Sequence, residues 1–348
     1  MSFNLNNIIR PNIREMVAYS SARSEFKGQA EVFLDANENP FNTGLNRYPD
    51  PLQRELKKRI SQLKKVPASR IFLGNGSDEA IDLLIRIFCK PQQDHIIIVP
   101  PTYGMYKVSA AISDIAVQEV LLTEDFQLRP DAILAKANEY SKILFLCSPN
   151  NPTGNDVERA DIEQLLQAFE GIVVVDEAYI DFSEQPSCTT LLEQYPNLVV
   201  LQTFSKAWGL AGIRLGMAFA SAAIIGLLNK VKPPYNVNQL TQNAALSALQ
   251  NQEQQTAWQT DILKQRAWLV TQLEQIEAVE KIYPSAANFL LFKVANADEW
   301  YNYLVRQGII IRNRSTVVLC EGCLRVTVGT AAENEQFITL MRNRTPIF

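Results

Sequence analysis

Four short apolar runs in this chain of 348 residues each end in a polar, turn-rich segment. They cover residues 95–99, 143–147, 172–175 and 198–201, and they show little of the alternation of a half-exposed strand. Strands that are buried on both faces have this pattern, which is typical of parallel sheets covered by helices. Open α/β sheets bind their ligands beyond the carboxyl ends of such strands. The sequence therefore predicts an α/β domain with a mostly parallel, doubly wound sheet and a ligand site at one edge.

Two ionisable residues follow two of these runs. Lys206 lies in a glycine-rich, aromatic-lined turn after residues 198–201, and a second cation, Arg214, follows in the same segment. Asp176 ends the run at 172–175, where a carboxylate is costly to bury unless it faces a cation. A Schiff-base lysine and an aspartate for a protonated pyridine nitrogen are what pyridoxal 5′-phosphate requires of a protein. Each residue alone is also compatible with a surface charge or a helix cap.

A third turn has the composition of an anion site. Residues 74–78 read Gly-Asn-Gly-Ser-Asp, and a segment with helical spacing follows at 80–88. Glycines before a helix start let backbone N–H groups and the helix dipole converge on a phosphate. No Gly-Lys-Ser/Thr follows, and Glu79 stands where a dinucleotide fingerprint has its third glycine. The segment is also compatible with a capped helix that binds nothing.

Composition limits the partners that we expect. The net charge of −4 comes from 33 basic and 37 acidic residues of mixed placement, which favours neither nucleic acid nor an anionic membrane. No run approaches the roughly 20 apolar residues of a membrane span, and residues 1–10 do not form a signal peptide. We therefore expect a soluble, cytoplasmic protein that acts on small molecules.

Histidine and cysteine usage narrows the chemistry. His95 is the only histidine and begins an apolar run, so hydrolase mechanisms that need a histidine base would all rest on it. Five cysteines at irregular spacing argue against a disulfide framework. Cys320 and Cys323 have no second cysteine pair to complete a zinc site, so we expect no metal. Their Glu-Gly link is interpreted as the turn of a β-hairpin between residues 316–319 and 324–328, and any redox role stays open.

The motifs together resemble the fold-type I pyridoxal-phosphate-dependent aminotransferases, and within them the histidinol-phosphate aminotransferase family. The segment around Lys206, Asp-Glu-Ala-Tyr at 176–179 and Asn-Asn-Pro-Thr-Gly at 150–154 mark the broad superfamily. The N-terminal motifs at 21–26 and 34–40 are similar to those of the subgroup. The resemblance continues to residues 323–330 and so covers nearly the whole chain.

The resemblance implies a pyridoxal 5′-phosphate site. Lys206 would carry the cofactor and move the proton at the substrate carbon, while Asp176 would hold the ring nitrogen protonated. Asn151 and Tyr179 would contact the ring's phenolic oxygen, and Tyr103 would stack on the ring. The implied phosphate contacts come from Gly76, Ser77, Asp78, Ser205, Arg214 and, from the other subunit of a homodimer, Tyr48.

The implied reaction is the transamination of L-histidinol phosphate with 2-oxoglutarate to imidazole acetol phosphate and L-glutamate, a step of L-histidine biosynthesis. Arg325 would accept either the phosphate of one substrate or the α-carboxylate of the other, since a guanidinium fork binds both anions. By the same resemblance, Arg312 would assist with the phosphate, and Tyr19 and Asn37 would line the imidazole side.

Four other functions compete with this one. An aromatic amino-acid aminotransferase and a pyridoxal-phosphate-dependent decarboxylase of a phosphorylated amino acid would share the fold and most motifs. A non-enzymatic, ligand-sensing regulator with an aminotransferase-like domain would need a DNA-binding module, for which the roughly 45 residues before the large domain are too few and not basic enough. A nucleotide-dependent dehydrogenase is disfavoured by the missing third glycine.

The order of the predicted elements suggests two domains. We predict a large cofactor-binding domain at 45–255 and a small α+β domain formed by 1–44 and 256–348. A long connecting helix is expected to follow the large domain, with one shared face. The residues of that face are Trp258, Ile262, Leu269, Leu273 and Ile276. Strands at 287–294 and 308–312, the hairpin, and helices at 297–307 and 331–343 complete the small domain.

Overall fold

The computed structural model of the chain describes residues 3–19 and 31–344, so the motif at 21–26 lies outside the described residues. The α-helices are α1 (Leu5–Ile8), α2 (Pro11–Glu15), α3 (Arg54–Lys64), α4 (Ser77–Phe88), α5 (Met105–Ile112), α6 (Pro130–Lys136), α7 (Arg159–Ala168), α8 (Ala222–Val231), α9 (Gln239–Gln250), α10 (Gln252–Leu273), α11 (Ala297–Arg306) and α12 (Ala331–Asn343). The strands are β1 (Ile71–Asn75), β2 (His95–Ile98), β3 (Ala116–Glu119), β4 (Ser141–Cys147), β5 (Ile172–Asp176), β6 (Leu198–Thr203), β7 (Leu215–Ala220), β8 (Val279–Ile282), β9 (Phe289–Val294), β10 (Arg312–Asn313) and β11 (Cys323–Thr327).

The larger sheet has seven strands in the order β1-β7-β6-β5-β4-β2-β3. Strands β6, β5, β4, β2 and β3 pair in parallel, and only β7 runs antiparallel to its neighbours β1 and β6. The carboxyl ends of β1 to β6 and the start of β7 therefore lie at one edge. This arrangement confirms the predicted mostly parallel sheet and the common edge of the four apolar runs.

Two apolar clusters cover the two faces of this sheet. Val173 and Val175 of β5 enter one cluster together with residues of α3, α7 and α9. Ile172 and Val174 enter the other, with residues of α4, α5 and α8. Burial on both faces explains why these strands lack an alternating pattern. Over the described residues, no helix has both the length and the apolar character needed to cross a membrane.

The small domain is built on an antiparallel sheet in the order β10-β11-β9-β8. Its core packs against α11 and α12, which match the helices predicted at 297–307 and 331–343, and against the end of the long helix α10. On α10, Leu269 and Leu273 are buried, whereas Trp258 is 49% exposed. The predicted shared face is therefore buried only near the end of that helix. Strand β8 was not predicted.

The predicted hairpin is wrong in its first strand. Residues 316–319 form turns, and the strand that pairs with β11 is β10, with Arg312 opposite Arg325. Because β11 lies between β10 and β9, no edge remains for residues 316–319. Cys320 and Cys323 are buried free thiols, and burial raises the pKa of Cys320 to about 12.

Helices α1 and α2 do not pack where the predicted domain boundaries place them. Ile9 and Ile13 join the core of the large sheet, and the amide of Arg10 donates to the carbonyl oxygen of Ile87 in α4 at 3.1 Å. Residues 1–44 were predicted to belong to the small domain. Their part at 5–15 instead packs on the large domain, because its apolar side chains complete the face that α4 and α8 cover.

The glycine at position 216 allows β7 to pass the turn between β1 and α4. A Cβ at Gly216 would lie 2.1 Å from the backbone nitrogen of Ser77 and 2.3 Å from the backbone carbon of Gly76. Gly216→Ala should lower the free energy of unfolding by about 1–3 kcal/mol or more, because backbone atoms must move. Denaturant unfolding measures this change.

Gly226 offers a matched control on α8. No atom lies within 4 Å of a Cβ added there, so Gly226→Ala should stabilise the helix by up to about 1 kcal/mol. A Gly216→Ala protein as stable as its parent would contradict the close approach of the two backbones.

Candidate active site

A cavity of about 630 Å³ opens at the edge where the carboxyl ends of the parallel strands meet. Its walls come from the segments that follow β1, β2, β4, β5 and β6, from the start of β7, and from the small domain. The predicted site residues that line it are Gly76, Ser77, Asp78, Tyr103, Asn151, Asp176, Tyr179, Ser205, Lys206, Arg214, Arg312 and Arg325. The fold thus brings together residues that are far apart in the sequence.

Three predicted site residues do not line this cavity. Tyr19 is 73% exposed. Asn37 and Tyr48 line a second cavity of about 460 Å³, and the ring of Tyr48 stacks on that of Tyr235 with 4.4 Å between centroids. Tyr48 was expected to act across a subunit interface, whereas Tyr19 and Asn37 were expected to contact the substrate.

Asp176 ends β5 inside the sheet and is 2% exposed. Its Oδ2 accepts a hydrogen bond from the hydroxyl of Tyr106 at 2.8 Å, and its Oδ1 accepts one from the amide of Ala178 at 3.1 Å. Burial raises the pKa of Asp176 to about 6, although both hydrogen bonds and the charge of Lys206 oppose this shift. Within the described part of the chain, no lysine or arginine forms an ion pair with it. Such a carboxylate suits a ligand that brings its own positive charge.

The neighbouring carboxylate serves the fold instead. Glu177 is buried and accepts hydrogen bonds from the hydroxyl of Ser187 and the amide of Cys188, both at 2.6 Å, and from Nε2 of Gln202 at 2.9 Å. Its acceptors are thus used within the protein. Of the two adjacent acids, only Asp176 faces the cavity.

Lys206 follows β6 in a tight turn. The amide of Gly209, at φ +66°, donates to the carbonyl oxygen of Lys206 at 3.0 Å. The Nζ atom of Lys206 lies 5.4 Å from the ring centroid of Tyr179. Burial and then the charge of Arg325 lower the pKa of Lys206, while Asp176 raises it. A lower pKa increases the fraction of neutral amine, the form that attacks a carbonyl group.

An anion subsite lies at the start of α4. This helix has no side-chain cap, and its N-cap residue Gly76 has φ +77°. A Cβ at Gly76 would lie 2.6 Å from Nη2 of Arg214, so only glycine lets this guanidinium approach the turn. The carboxylate of Asp78 accepts hydrogen bonds from Arg214 at 3.3 Å and from the hydroxyl of Tyr103 at 3.1 Å. Ser205 adds a hydroxyl to the same wall of the cavity. Free amides at a helix start beside an arginine fit a phosphate group.

The opposite wall carries three arginines, Arg312, Arg314 and Arg325. The guanidinium of Arg325 lies 5.0 Å from the ring centroid of Phe289 and donates to Oδ1 of Asn151. The Nε atoms of Arg314 and Arg325 are buried, and none of the residues that the structure describes forms a hydrogen bond with them. Burial, followed by the charges of Arg314 and Arg312, lowers the pKa of Arg325 to about 10. This wall is therefore short of negative charge.

Sequence reasoning missed two of these residues. Arg314 stands two positions after Arg312, and side chains with that spacing in an extended segment share a face. This spacing could have predicted that Arg314 lies beside Arg312 in the site. Tyr106 donates to a carboxylate 70 residues away in the sequence. Its hydroxyl, placed soon after Tyr103, was the only sequence signal.

The residues present fit pyridoxal 5′-phosphate. Asp176 matches a protonated ring nitrogen, the turn at Gly76 with Arg214 matches the phosphate, and Lys206 supplies an amine in the same cavity. Among residues 3–19 and 31–344, no cluster of histidine, cysteine, aspartate and glutamate could hold a metal ion. The donor set is that of an organic phosphate with a cationic ring.

Known proteins share this fold and sequence. The family model described as aminotransferase class I and II matches residues 23–340. The chain therefore belongs to the class I and II aminotransferases, which are pyridoxal-phosphate-dependent transferases. A protein of Cytophaga hutchinsonii named histidinol-phosphate aminotransferase is 54% identical to it over 346 residues, covering 98% of this chain and 99% of that protein.

Two solved structures share the fold. The histidinol-phosphate aminotransferase from Clostridium acetobutylicum has a TM-score of 0.79 at 24% identity, covering 86% of this chain and 90% of its own. The enzyme of that name from Sinorhizobium meliloti, in complex with pyridoxal 5′-phosphate, has a TM-score of 0.77 at 20% identity, covering 85% of this chain and 83% of its own. Both likenesses support the α/β architecture with its small second domain.

Asp176 should destabilise the cofactor-free fold at neutral pH. Its pKa is raised from 3.8 to about 6, so the folded protein binds the proton more tightly and loses stability as the pH rises through about 4 to 6. Cofactor-free Asp176→Asn should therefore be more stable than the parent by up to about 3 kcal/mol at about pH 8, and by little at about pH 4. Denaturant unfolding at both pH values measures the difference.

Asp261→Asn is the control for this comparison, because Asp261 is exposed and should change stability by less than about 0.5 kcal/mol. If Asp176→Asn were instead less stable than the parent at about pH 8, groups of the protein itself would already compensate the carboxylate.

Proposed function

We propose that this protein catalyses the reversible transamination of L-histidinol phosphate with 2-oxoglutarate, giving imidazole acetol phosphate and L-glutamate, in L-histidine biosynthesis. The observation that carries the proposal is one cavity with Lys206 and the buried Asp176 on one side and three arginines on the other. Support also comes from the Cytophaga hutchinsonii relative, whose sequence matches nearly the whole chain and which is named histidinol-phosphate aminotransferase.

Pyridoxal 5′-phosphate, when bound, supplies an electron sink for the charge that develops at the amine-bearing carbon. Lys206 would hold it through Nζ and then move a proton at that carbon, which its lowered pKa favours. The carboxylate of Asp176 would keep the ring nitrogen protonated. Asn151 and Tyr179, already joined by a hydrogen bond of 3.2 Å, would contact the phenolic oxygen.

The phosphate of the cofactor would lie at the start of α4. The backbone of Gly76 and Ser77, the hydroxyl of Ser205 and the guanidinium of Arg214 line that end of the cavity. Asp78 would contribute its backbone amide, because its carboxylate is engaged by Arg214 and Tyr103. The hydrogen bond of Tyr103 also fixes the edge of its ring, which would pack on the cofactor.

The arginine wall would bind the anionic end of each substrate. Arg325 is placed to bind the phosphate in one half-reaction and the α-carboxylate of glutamate in the other, by charge-assisted hydrogen bonds. Arg312 and Arg314 add two further positive charges. A phosphate dianion compensates such a wall better than a single carboxylate does, which supports a phosphorylated substrate over phenylalanine or tyrosine.

A homodimer would complete the site. Tyr48 and Asn37 lie in the second cavity, and Tyr19 is exposed, so none of them reaches the first cavity's lining within one chain. Leu45 and Leu240 line that cavity and are exposed, and Leu34 and Phe41, close to Asn37 in the sequence, are exposed as well. A dimer interface on this segment would cover them. In the proposed assembly, Tyr48 of one subunit reaches the cofactor phosphate of the other, and Tyr19 and Asn37 line the imidazole side.

Loss of Lys206 should abolish transamination while the fold persists. Lys206→Ala removes both the attachment point and the proton carrier, so the rate should fall by roughly 10⁴-fold or more, since a positioned proton carrier alone contributes about 10²–10⁴-fold. The measurement is the rate of the cofactor's visible colour change after mixing with histidinol phosphate. Lys264→Ala, at an exposed lysine of α10, should behave like the parent. Near-parent turnover in Lys206→Ala would refute the proposed role.

The arginine wall should separate phosphate from carboxylate recognition. Arg325→Gln should impair both half-reactions by about 10- to 100-fold, because a charge-assisted contact contributes about 1.5–3 kcal/mol. Arg312→Gln and Arg314→Gln should lower kcat/KM for histidinol phosphate by about tenfold, with little effect on glutamate or phenylalanine.

Arg306→Gln, at an exposed position of α11, is the control for these kcat/KM comparisons. If Arg312→Gln or Arg314→Gln lost all three substrates equally, a defect in folding or cofactor binding would explain the loss. The phosphate-specific role would then have to be abandoned.

A further inference from the structure

A buried lysine outside the cavity joins separate segments of the large domain. Lys232, at the end of α8, is 6% exposed. Its Nζ donates to the carbonyl oxygens of Pro51 and Pro234, both at 2.8 Å, to that of Pro233 at 3.2 Å, and to Oδ1 of Asn236 at 2.9 Å. Four oxygen atoms from two distant parts of the chain therefore surround one ammonium group.

Asn236 extends these contacts to the turn that precedes α4. Its Nδ2 donates to the carbonyl oxygen of Leu73 in β1 and to Oε2 of Glu79 in α4, both at 2.9 Å. The same Oε2 accepts from the amide of Asn75 at 2.5 Å. Asn75 is the residue before Gly76, so the path ends at the proposed phosphate subsite.

A second path leads to the segment that carries Tyr48. The ring of Tyr48 stacks on Tyr235, which belongs to the loop after α8, with an angle of 11° between the rings. Pro51 lies three residues after Tyr48. Its carbonyl oxygen accepts a hydrogen bond from Nε2 of Gln53 at 2.9 Å, and the same Nε2 donates to Oδ1 of Asn236 at 3.3 Å. The loop after α8 thus holds two elements of the proposed site.

The charge at this position is costly to the fold. Burial lowers the pKa of Lys232 to about 8, although the charges of Glu79 and Asp50 oppose the shift. A buried charge with this cost is weak support for a purely stabilising role. The contacts it makes are directional, and they end at the phosphate turn and beside Tyr48.

We infer that Lys232 is a positioning residue for cofactor binding, which holds the turn at Gly76 through Asn236 and the segment of Tyr48 through Pro51. Lys232 itself is not among the residues that line the cavity. The inference rests on the proposed function, since it assigns a role toward the phosphate of pyridoxal 5′-phosphate.

The test is cofactor binding by Lys232→Met, which keeps the length of the side chain and removes its donors. Titration of the cofactor-free protein with pyridoxal 5′-phosphate should give a Kd at least about tenfold above that of the parent, equivalent to about 1.4 kcal/mol. The phosphorus NMR resonance of the bound cofactor should also shift, because the turn around the phosphate changes. Neither readout depends on turnover.

Lys57→Met is the matched control. Lys57 is as buried as Lys232, and burial and the charge of Lys232 lower its pKa to about 8, yet its side chain makes none of the hydrogen bonds described above. It should leave the Kd and the phosphorus resonance unchanged. A shift of the same size in both variants would indicate a general loss of stability and overturn the inference.

Asn236→Ala tests the path itself. It should weaken cofactor binding by a similar factor, and the double variant with Lys232→Met should bind no more weakly than either single variant, because both act through one network. If Lys232→Met does not fold, the Kd of Asn236→Ala decides the question. Parent-like binding in the variants refutes this inference alone, whereas a parent protein that binds no pyridoxal 5′-phosphate refutes the proposed function and this inference with it.

Discussion

A carboxylate that forms no ion pair with the described residues, buried at the end of a central strand, is the constraint on which the site depends. Asp176 retains a charge near neutral pH only because Tyr106 and the amide of Ala178 donate to it and Lys206 lies in the same cavity. Each of these partners sits on a different element that the parallel sheet brings to one edge. A cationic ring bound beside Asp176 would compensate this buried negative charge, and cofactor binding would then stabilise the folded protein.

One hydrogen-bonded chain links the arginine wall of the cavity to Tyr179. Arg325 of the small domain donates to Oδ1 of Asn151, and Nδ2 of Asn151 donates to the hydroxyl of Tyr179 in the large domain. An anion that binds Arg325 therefore acts on the same amide that faces the proposed phenolic oxygen. In the proposed reaction, recognition of the substrate and contact with the cofactor would therefore share one network, in which Arg325 donates to Asn151.

Sequence patterns predicted the features of the fold and of the site that depend on local burial and on residue type. The uninterrupted apolar run of β5 was sufficient to indicate a two-sided sheet, and the carboxyl ends that such a sheet aligns gave most of the cavity lining. Sequence patterns failed where segments that are distant in the chain compete to pair with the same strand. Residues 316–319 have the composition of a strand, but β10 and β9 occupy both edges of β11. The hydroxyl of Tyr106 donates to a carboxylate 70 residues away, and Lys232 reaches the carbonyl oxygen of Pro51 only in the folded chain, so no local window contains these two contacts.

The distribution of charge in the cavity gives the strongest argument about the ligand. Near α4, Arg214 is already paired with Asp78, so that end combines one balanced ion pair with free amides, as a bound phosphate requires. The opposite wall holds three guanidinium groups, and the carboxylate of Asp176 also lines the cavity. A ligand that carries one anion would leave that wall with excess positive charge. A cofactor phosphate at one end and a substrate phosphate at the other would compensate more of this charge than a single carboxylate would, which favours the proposed phosphorylated amine over a simple aromatic amino acid.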